Sequence, residues 1–233
     1  MASNVGNPSF APEQFTPFYQ RSLYQSMRNL TAQNFSLLRK RIGTLPEALR
    51  GQGREVLEME AKVLKRFQGI LDRKITAMRI RIHGDYHLGQ VLHTGKEFVL
   101  IDFEWEPARS LTDRRIKRSP LRDVAGMLRS FHYVSYAPLI GEVGGSVRSD
   151  DVKSLERWAD CWNGWVSPAF LQGYLAVAKD GAFLPHSREE LSLLLDMYLL
   201  EKSIYELGYE LNNRPLWSKL PLLGILSLME APE

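Results

Sequence analysis

Apolar positions recur at helical spacing along much of this chain. From Phe18 to Ile42 they include Leu23, Met27 and Leu30, spaced to share one helix face. Residues 1–14 carry Asn, Gly, Pro and Ser without such a period, so they read as a flexible lead-in to a folded unit over 15–233. Leu45-Pro46 and Gly51-Gln52-Gly53 punctuate a turn. A second helix follows, with Leu57, Ala61, Leu64, Phe67 and Leu71 along one stripe. The pattern then shortens. Met78–Ile82 and Phe98–Ile101 are brief runs of apolar and β-branched residues. Val91–Asp102 reads as a β-hairpin turning at Thr94-Gly95-Lys96.

Helical spacing returns after a polar loop. Ser119-Pro120 suits the start of a helix whose buried stripe is Leu121, Val124, Ala125, Leu128 and Phe131. Leu155, Trp158, Ala159, Trp162 and Trp165 mark the next. Ser187 with Glu190 forms a capping box that opens a long helix to about Asn212, which Arg214-Pro215 stops. A short apolar helix from about Pro221 closes the chain. The prediction is a mainly α protein with one small β-hairpin.

Composition narrows the partners. The 233 residues suffice for one domain or a domain and a half, and 44% hydrophobic with 24% charged residues is ordinary for a soluble protein. A net charge of +3 lacks the clustered basic excess of a nucleic-acid binder. The single cysteine, Cys161, excludes an intramolecular disulfide, fits a reducing cytoplasm, and reads as a small buried apolar residue. The opening MASNVGNPSF has no signal-peptide pattern. The most apolar runs, Leu191–Leu200 and Leu220–Met229, are too short to cross a bilayer. A cytoplasmic protein without a membrane partner is expected.

The chemistry concentrates in His83-Gly84-Asp85-Tyr86-His87-Leu88-Gly89-Gln90 and in Phe98-Val99-Leu100-Ile101-Asp102-Phe103-Glu104. Asp85 sits in a short loop between strand-like runs, and Gln90 follows five residues later. Folding the hairpin returns Asp102 to that loop. Two carboxylates and an amide oxygen then converge, a hard-oxygen set that suits Mg²⁺. Phosphoryl transfer needs such a metal, an acceptor oxygen held in line, and a nearby base.

These two segments resemble the catalytic and metal-binding loops of aminoglycoside-phosphotransferase-like kinases, and their wording, with Glu106-Pro107 following, resembles maltokinase. Phe15–Asn29, Ser119–Ser130 and the stretch from Lys202 to Trp217 extend the likeness over most of the chain. The resemblance implies the large C-terminal lobe of a protein-kinase-like fold, with catalytic and metal loops within 81–107. It implies Asp85 as the base that orients the acceptor hydroxyl, and Gln90 and Asp102 as Mg²⁺ ligands. Gln90 stands where related kinases place Asn. Glu104 replaces a more common Gly and is a candidate for water-mediated metal contact or for sugar positioning. His87 is open between bonding the acceptor and packing. His83 and Asp123 are expected to brace the loop. Lys202, Tyr205, Glu206, Tyr209 and Asn213 recur at spacings that share one face of the long helix. An acceptor-sugar site of Tyr205, Glu206, Tyr209 and Arg214 is expected there, against the plainer reading of an amphipathic helix edge. The basic run Arg114–Arg118 reads as a solvated loop.

No strand followed by a phosphate-covering glycine loop occurs, because Gly51-Gln52-Gly53 joins two helices. The resemblance therefore places the nucleotide-covering lobe upstream, and leads to weak or absent kinase activity for this chain alone. The expected function is the acceptor and metal half of an ATP-dependent kinase making maltose 1-phosphate, related to trehalose metabolism and to fusion with a trehalose synthase. The alternative is a non-catalytic module that binds sugar or docks on trehalose synthase.

Overall fold

The computed structural model describes residues 6–7, 9–103, 111–140 and 151–230. Helix α1 spans Pro17–Arg41. Thr16 caps it by accepting the Tyr19 N–H, Pro17 takes the first helical position, and Arg39, Lys40 and Arg41 meet the negative end of its dipole. Its buried face, which includes Leu23, Met27, Phe35 and Leu38, enters the main core. Gln20, also buried on that face, donates to the carbonyls of Ile70 (2.5 Å) and Arg73 (2.8 Å) and so ties down the chain that returns beneath the helix.

Helices α2 (Glu47–Glu58) and α3 (Glu60–Gln68) follow. Gly51 and Gly53, read from the sequence as a turn, lie inside α2. A β-carbon at Gly53 would stand 3.1 Å from Ile42 and 3.5 Å from Leu45, so close packing of the helix on its neighbours outweighs the weak helical preference of glycine. Glu13–Gln14 (β1) pairs antiparallel with Met78–Arg79 (β2), which gives the end of the expected lead-in a defined place. Arg79 and Lys117 both pair with Glu13 at this edge. Ile80 continues the chain into a bridge with Arg118.

Val91–His93 (β3) and Phe98–Leu100 (β4) form the hairpin, in the register Val91 to Leu100 and His93 to Phe98. Gly95 turns it at φ 88°, a conformation that suits glycine. After the short helix α4 (Leu111–Arg115) come α5 (Leu121–Tyr136), α6 (Val152–Ala178), α7 (Arg188–Asn213) and α8 (Lys219–Glu230). Ser187 accepts the Glu190 N–H at the start of α7, and Glu190 in turn receives the backbone N–H and hydroxyl of Thr76.

Helix α7 is the central element. It packs against α1, α5 and α8, while α6 lies on α5 and α2 meets α8. Tyr198, Ile204, Leu207 and Leu211 of α7 are fully or almost fully buried in the main core. A smaller cluster of Tyr136, Ala159, Trp217 and Leu220 closes one end. Helix α6 departs from the sequence reading. Its stripe of Leu155, Trp158, Trp162 and Trp165 faces outward, with Trp165 78% exposed, and only Ala159 and Ala178 of this helix are buried. Cys161, expected to be buried, is exposed on the same helix.

This division of α1 and α6 sets a measurable contrast. Phe35→Ala removes a fully buried ring and is expected to cost about 3–5 kcal/mol in chemical denaturation. Trp165→Ala should shift the midpoint by less than about 0.5 kcal/mol. A large loss at Trp165 would show that the α6 stripe is packed.

Candidate functional site

One face of α5 seats the loop that carries the charged residues. Asp123, in the first turn of α5, accepts the backbone N–H groups of His83 (2.7 Å) and Gly84 (2.9 Å). Three residues on, Gly126 meets the Tyr86 carbonyl so closely that a β-carbon there would stand 2.7 Å from its oxygen. Ser130, one turn further, accepts the Leu88 N–H at 2.9 Å. Positions 123, 126 and 130 share one helical face, and together they hold 83–88 against α5. Gly84 turns at φ 87° within this loop.

His83 joins the loop to the hairpin. Its Nε2 donates to the Ile101 carbonyl at 2.8 Å, which leaves Nδ1 as an acceptor facing the Asp85 N–H at 3.4 Å. The ring also lies 4.9 Å from that of Phe103. Asp102, one residue after the carbonyl that His83 binds, adopts φ 60°, the only positive φ among the described non-glycine residues. Its carboxylate accepts from Gln90 Nε2 at 2.9 Å.

Asp85 is half-buried. Its carboxylate faces His87 Nε2 at 3.7 Å and Lys202 Nζ at 3.9 Å, both ion-pair rather than hydrogen-bond distances. His87 takes the Gly89 N–H on Nδ1 at 3.1 Å, which fixes the proton on Nε2, the atom turned toward Asp85. The nearby His87 is the largest cause holding the Asp85 carboxyl below the ordinary range. Burial opposes it, and the Lys202 charge adds to the lowering. Lys202 also lies 5.2 Å from the ring centre of Tyr205. Asp85, Arg122, Tyr198, Lys202 and Tyr205 line a cavity of about 30 Å³, enough for one water molecule.

The loop thus brings Gln90 and Asp102 into direct contact and places Asp85 on the same short segment, turned toward Lys202. Among the described residues no group of three or more His, Cys, Asp or Glu side chains is gathered closely enough to hold a metal ion. The available donors are two carboxylates and one amide. Rotation of the Gln90 amide would present its oxygen beside Asp102, so the chemistry of this set fits a hard cation that keeps part of its water shell. Glu104 lies outside the described residues.

The expected sugar face of α7 divides. Glu206 is buried and pairs with Arg129, whose Nε donates to it at 2.8 Å. A buried carboxylate needs such a partner, and α5 supplies one. Arg214 pairs with Glu210 at 2.7 Å and stacks near Trp217 and Tyr209. Tyr209 is half exposed. Of the residues expected on that face, Lys202 and Tyr205 line the Asp85 cavity. Lys202 was legible as a member of the face, but its pairing with Asp85 depends on a contact between distant segments.

No protein-family model matches the chain. A glucosamine kinase of Streptacidiphilus jiangxiensis is 24% identical over 155 residues, 64% of this chain and 32% of that protein. A solved glucosamine kinase covers 94% of this chain and 47% of its own length, with a TM-score of 0.70 at 18% identity. A glucosamine kinase in complex with glucosamine, ADP and inorganic phosphate gives 0.71 at 19% identity, covering 94% of this chain and 49% of that one. The chain therefore spans about a third of the curated relative and about half of the solved structures. These likenesses correct two expectations. The proteins that match along the chain are glucosamine kinases, not maltokinases. The fold is accordingly that of part of a glucosamine kinase, in place of the protein-kinase-like C-terminal lobe of the aminoglycoside-phosphotransferase type. Neither maltose nor trehalose synthase figures in these likenesses. Among the described residues no helix is long and apolar enough to cross a membrane.

Two outcomes test the loop. Gly126→Ala should destabilise the chain by about 1–3 kcal/mol through overpacking on Tyr86, despite a helix-propensity gain of about 1 kcal/mol, and should shift the amide resonances of Tyr86 to Gly89. Net stabilisation with unmoved resonances would refute the close contact. A depressed folded-state pKa means that Asp85 contributes stability above its unfolded value, and that this is lost as pH falls through the folded value. His87→Ala should move the Asp85 titration, followed by carboxyl NMR, upward, and the acid-side loss of stability with it. An unmoved titration would show that His87 has no hold on Asp85.

Proposed function

We propose that this chain carries the acceptor-activating part of a sugar phosphotransferase that acts on a hexosamine or hexose. The observation that carries the reading is the Asp85 carboxylate. It is held ionised by His87 and Lys202, at the wall of a cavity and on the same loop as the Gln90–Asp102 pair. An ionised carboxylate can accept the proton of a sugar hydroxyl as that oxygen bonds to the terminal phosphorus of a nucleoside triphosphate. The phosphorus–oxygen bond to the departing nucleoside diphosphate breaks in the same displacement.

Gln90 and Asp102 would hold Mg²⁺, which supplies charge neutralisation on the transferring phosphate. Tyr205 offers a ring face for sugar C–H groups beside Lys202, and Tyr209 extends that surface. His83 and Asp123 position the loop and do not touch the acceptor. ATP as donor is supported by the glucosamine kinase bound to ADP and phosphate. Glucosamine is favoured as acceptor by the same complex. The maltose expectation rested on the resemblance to maltokinase.

In a form of the protein that turns over ATP and glucosamine, Asp85→Asn should lower the rate by about 10²–10⁴-fold while glucosamine binding to the chain, followed by calorimetry, changes by less than about tenfold. Turnover within about tenfold of the parent would remove Asp85 from the base role. Tyr205→Ala should weaken sugar binding instead. Glucosamine binding that ignores both Tyr205 and Asp85 would place the acceptor elsewhere.

A further inference from the structure

A second cleft lies between α5, α6 and α8, with a volume of about 550 Å³, within the range of small-molecule sites. It shares no lining residue with the cavity at Asp85. Its floor is a buried polar network. Arg129, almost fully buried, spends its guanidinium on Glu206, on the Leu220 carbonyl (3.4 Å) and on His132 Nδ1 (3.0 Å). Gly224 admits that guanidinium, since a β-carbon there would stand 2.3 Å from it.

Because arginine is only a donor, its bond to His132 Nδ1 fixes the imidazole proton on Nε2. Burial and the adjacent Arg129 charge lower the His132 pKa to about 3, so the ring stays neutral. The walls add acceptors. Asp160 receives the Tyr136 hydroxyl on Oδ1 at 2.6 Å, and Oδ2 offers a further acceptor. Asn163 takes the Ser167 hydroxyl on its amide oxygen, and its amide nitrogen remains a donor. Pro168, inside α6, has no N–H to give to the carbonyl of Gly164 four residues earlier. Gly164 lines the cleft, and space is open where its side chain would be. Leu199, Leu223 and Leu228 add apolar surface to the lining.

We propose that this cleft is a second ligand site for a small polyhydroxylated molecule, a sugar. The lining combines hydrogen-bonding groups, His132, Asn163 and the Asp160 carboxylate, with leucines whose surface suits sugar C–H groups. The Arg129 guanidinium in the floor is already paired with the Glu206 carboxylate, so its charge is offset before a phosphate or other anion could use it. The Asp160 carboxylate opposes an anion further.

The test titrates the intact chain with glucosamine, with glucose and with inorganic phosphate, observing the His132 ring and the Asn163 side-chain amide by NMR. At least one sugar should shift both signals in a saturable way below about 20 mM, where a site of millimolar affinity is nearly filled, and phosphate should not. Asp160→Asn should weaken that response about tenfold or more, and Ser227→Phe, at an exposed position on the rim, should abolish it with an unchanged melting temperature. Tyr205→Ala, which alters the other cavity, should leave it intact, so failure here is separable from failure of the acceptor assignment. No response to either sugar, an equal response to phosphate, or a response that survives Ser227→Phe would overturn the proposal.

Discussion

Asp123 receives two backbone N–H groups of the segment that carries Asp85, from a partly buried position at the start of α5. A carboxylate out of water is costly unless hydrogen bonds replace its hydration, and these two N–H groups supply part of that replacement. The bonds run between groups fixed in the backbone and a side chain fixed in a helix. They therefore set the position of the loop rather than merely its proximity. Gly126 and Ser130 extend the same seat along α5, and His83 carries the constraint across to Ile101. The placement of Asp102 beside Gln90 is the far end of this chain of contacts.

A second constraint locks α5 to α7. Arg122 pairs with Glu201, Arg129 with Glu206, and Tyr133 donates to Glu210. All three acids lie on the side of α7 turned to α5, in largely buried surroundings. Breaking one such pair leaves an uncompensated buried charge, so the register of the two helices is strongly specified. That register also sets where Lys202 and Tyr205 emerge, beside Asp85. The site is thus built by two helices whose mutual position is fixed by polar contacts within an apolar core.

Much of this was legible in the sequence. The cap at Ser187, the hairpin around Gly95 and the carboxylate-bearing loop follow from local rules, because capping, turn geometry and hydrophobic period act over a few residues. The rest depended on distant partners. Gly51 and Gly53 signal a turn locally, but α2 passes through them because neighbouring side chains pack against the space where the Gly53 side chain would be. Glu206 shares a helical period with Tyr205 and Tyr209, yet Arg129 claims it. Tryptophans at helical spacing on α6 imply burial, but only a neighbouring element can cover them. Short motifs pointed to phosphoryl-transfer chemistry; the fold likeness to glucosamine kinases over 94% of the chain is what corrected the fold inferred with them.

The two clefts differ in charge because α5 must satisfy its own polar groups on both sides. Toward the loop it offers Asp123, an acceptor that binds backbone donors, and the ionised Asp85 it positions is answered by Lys202. Toward α6 and α8 it offers Arg129, whose charge is offset by Glu206 and which also donates to the Leu220 carbonyl and to His132. What reaches the second cleft is therefore not the arginine charge but its consequence, a neutral imidazole with a fixed Nε2 donor. A buried network that neutralises its own charge leaves directional hydrogen bonds as the means of recognition, and those favour hydroxyl groups over ions.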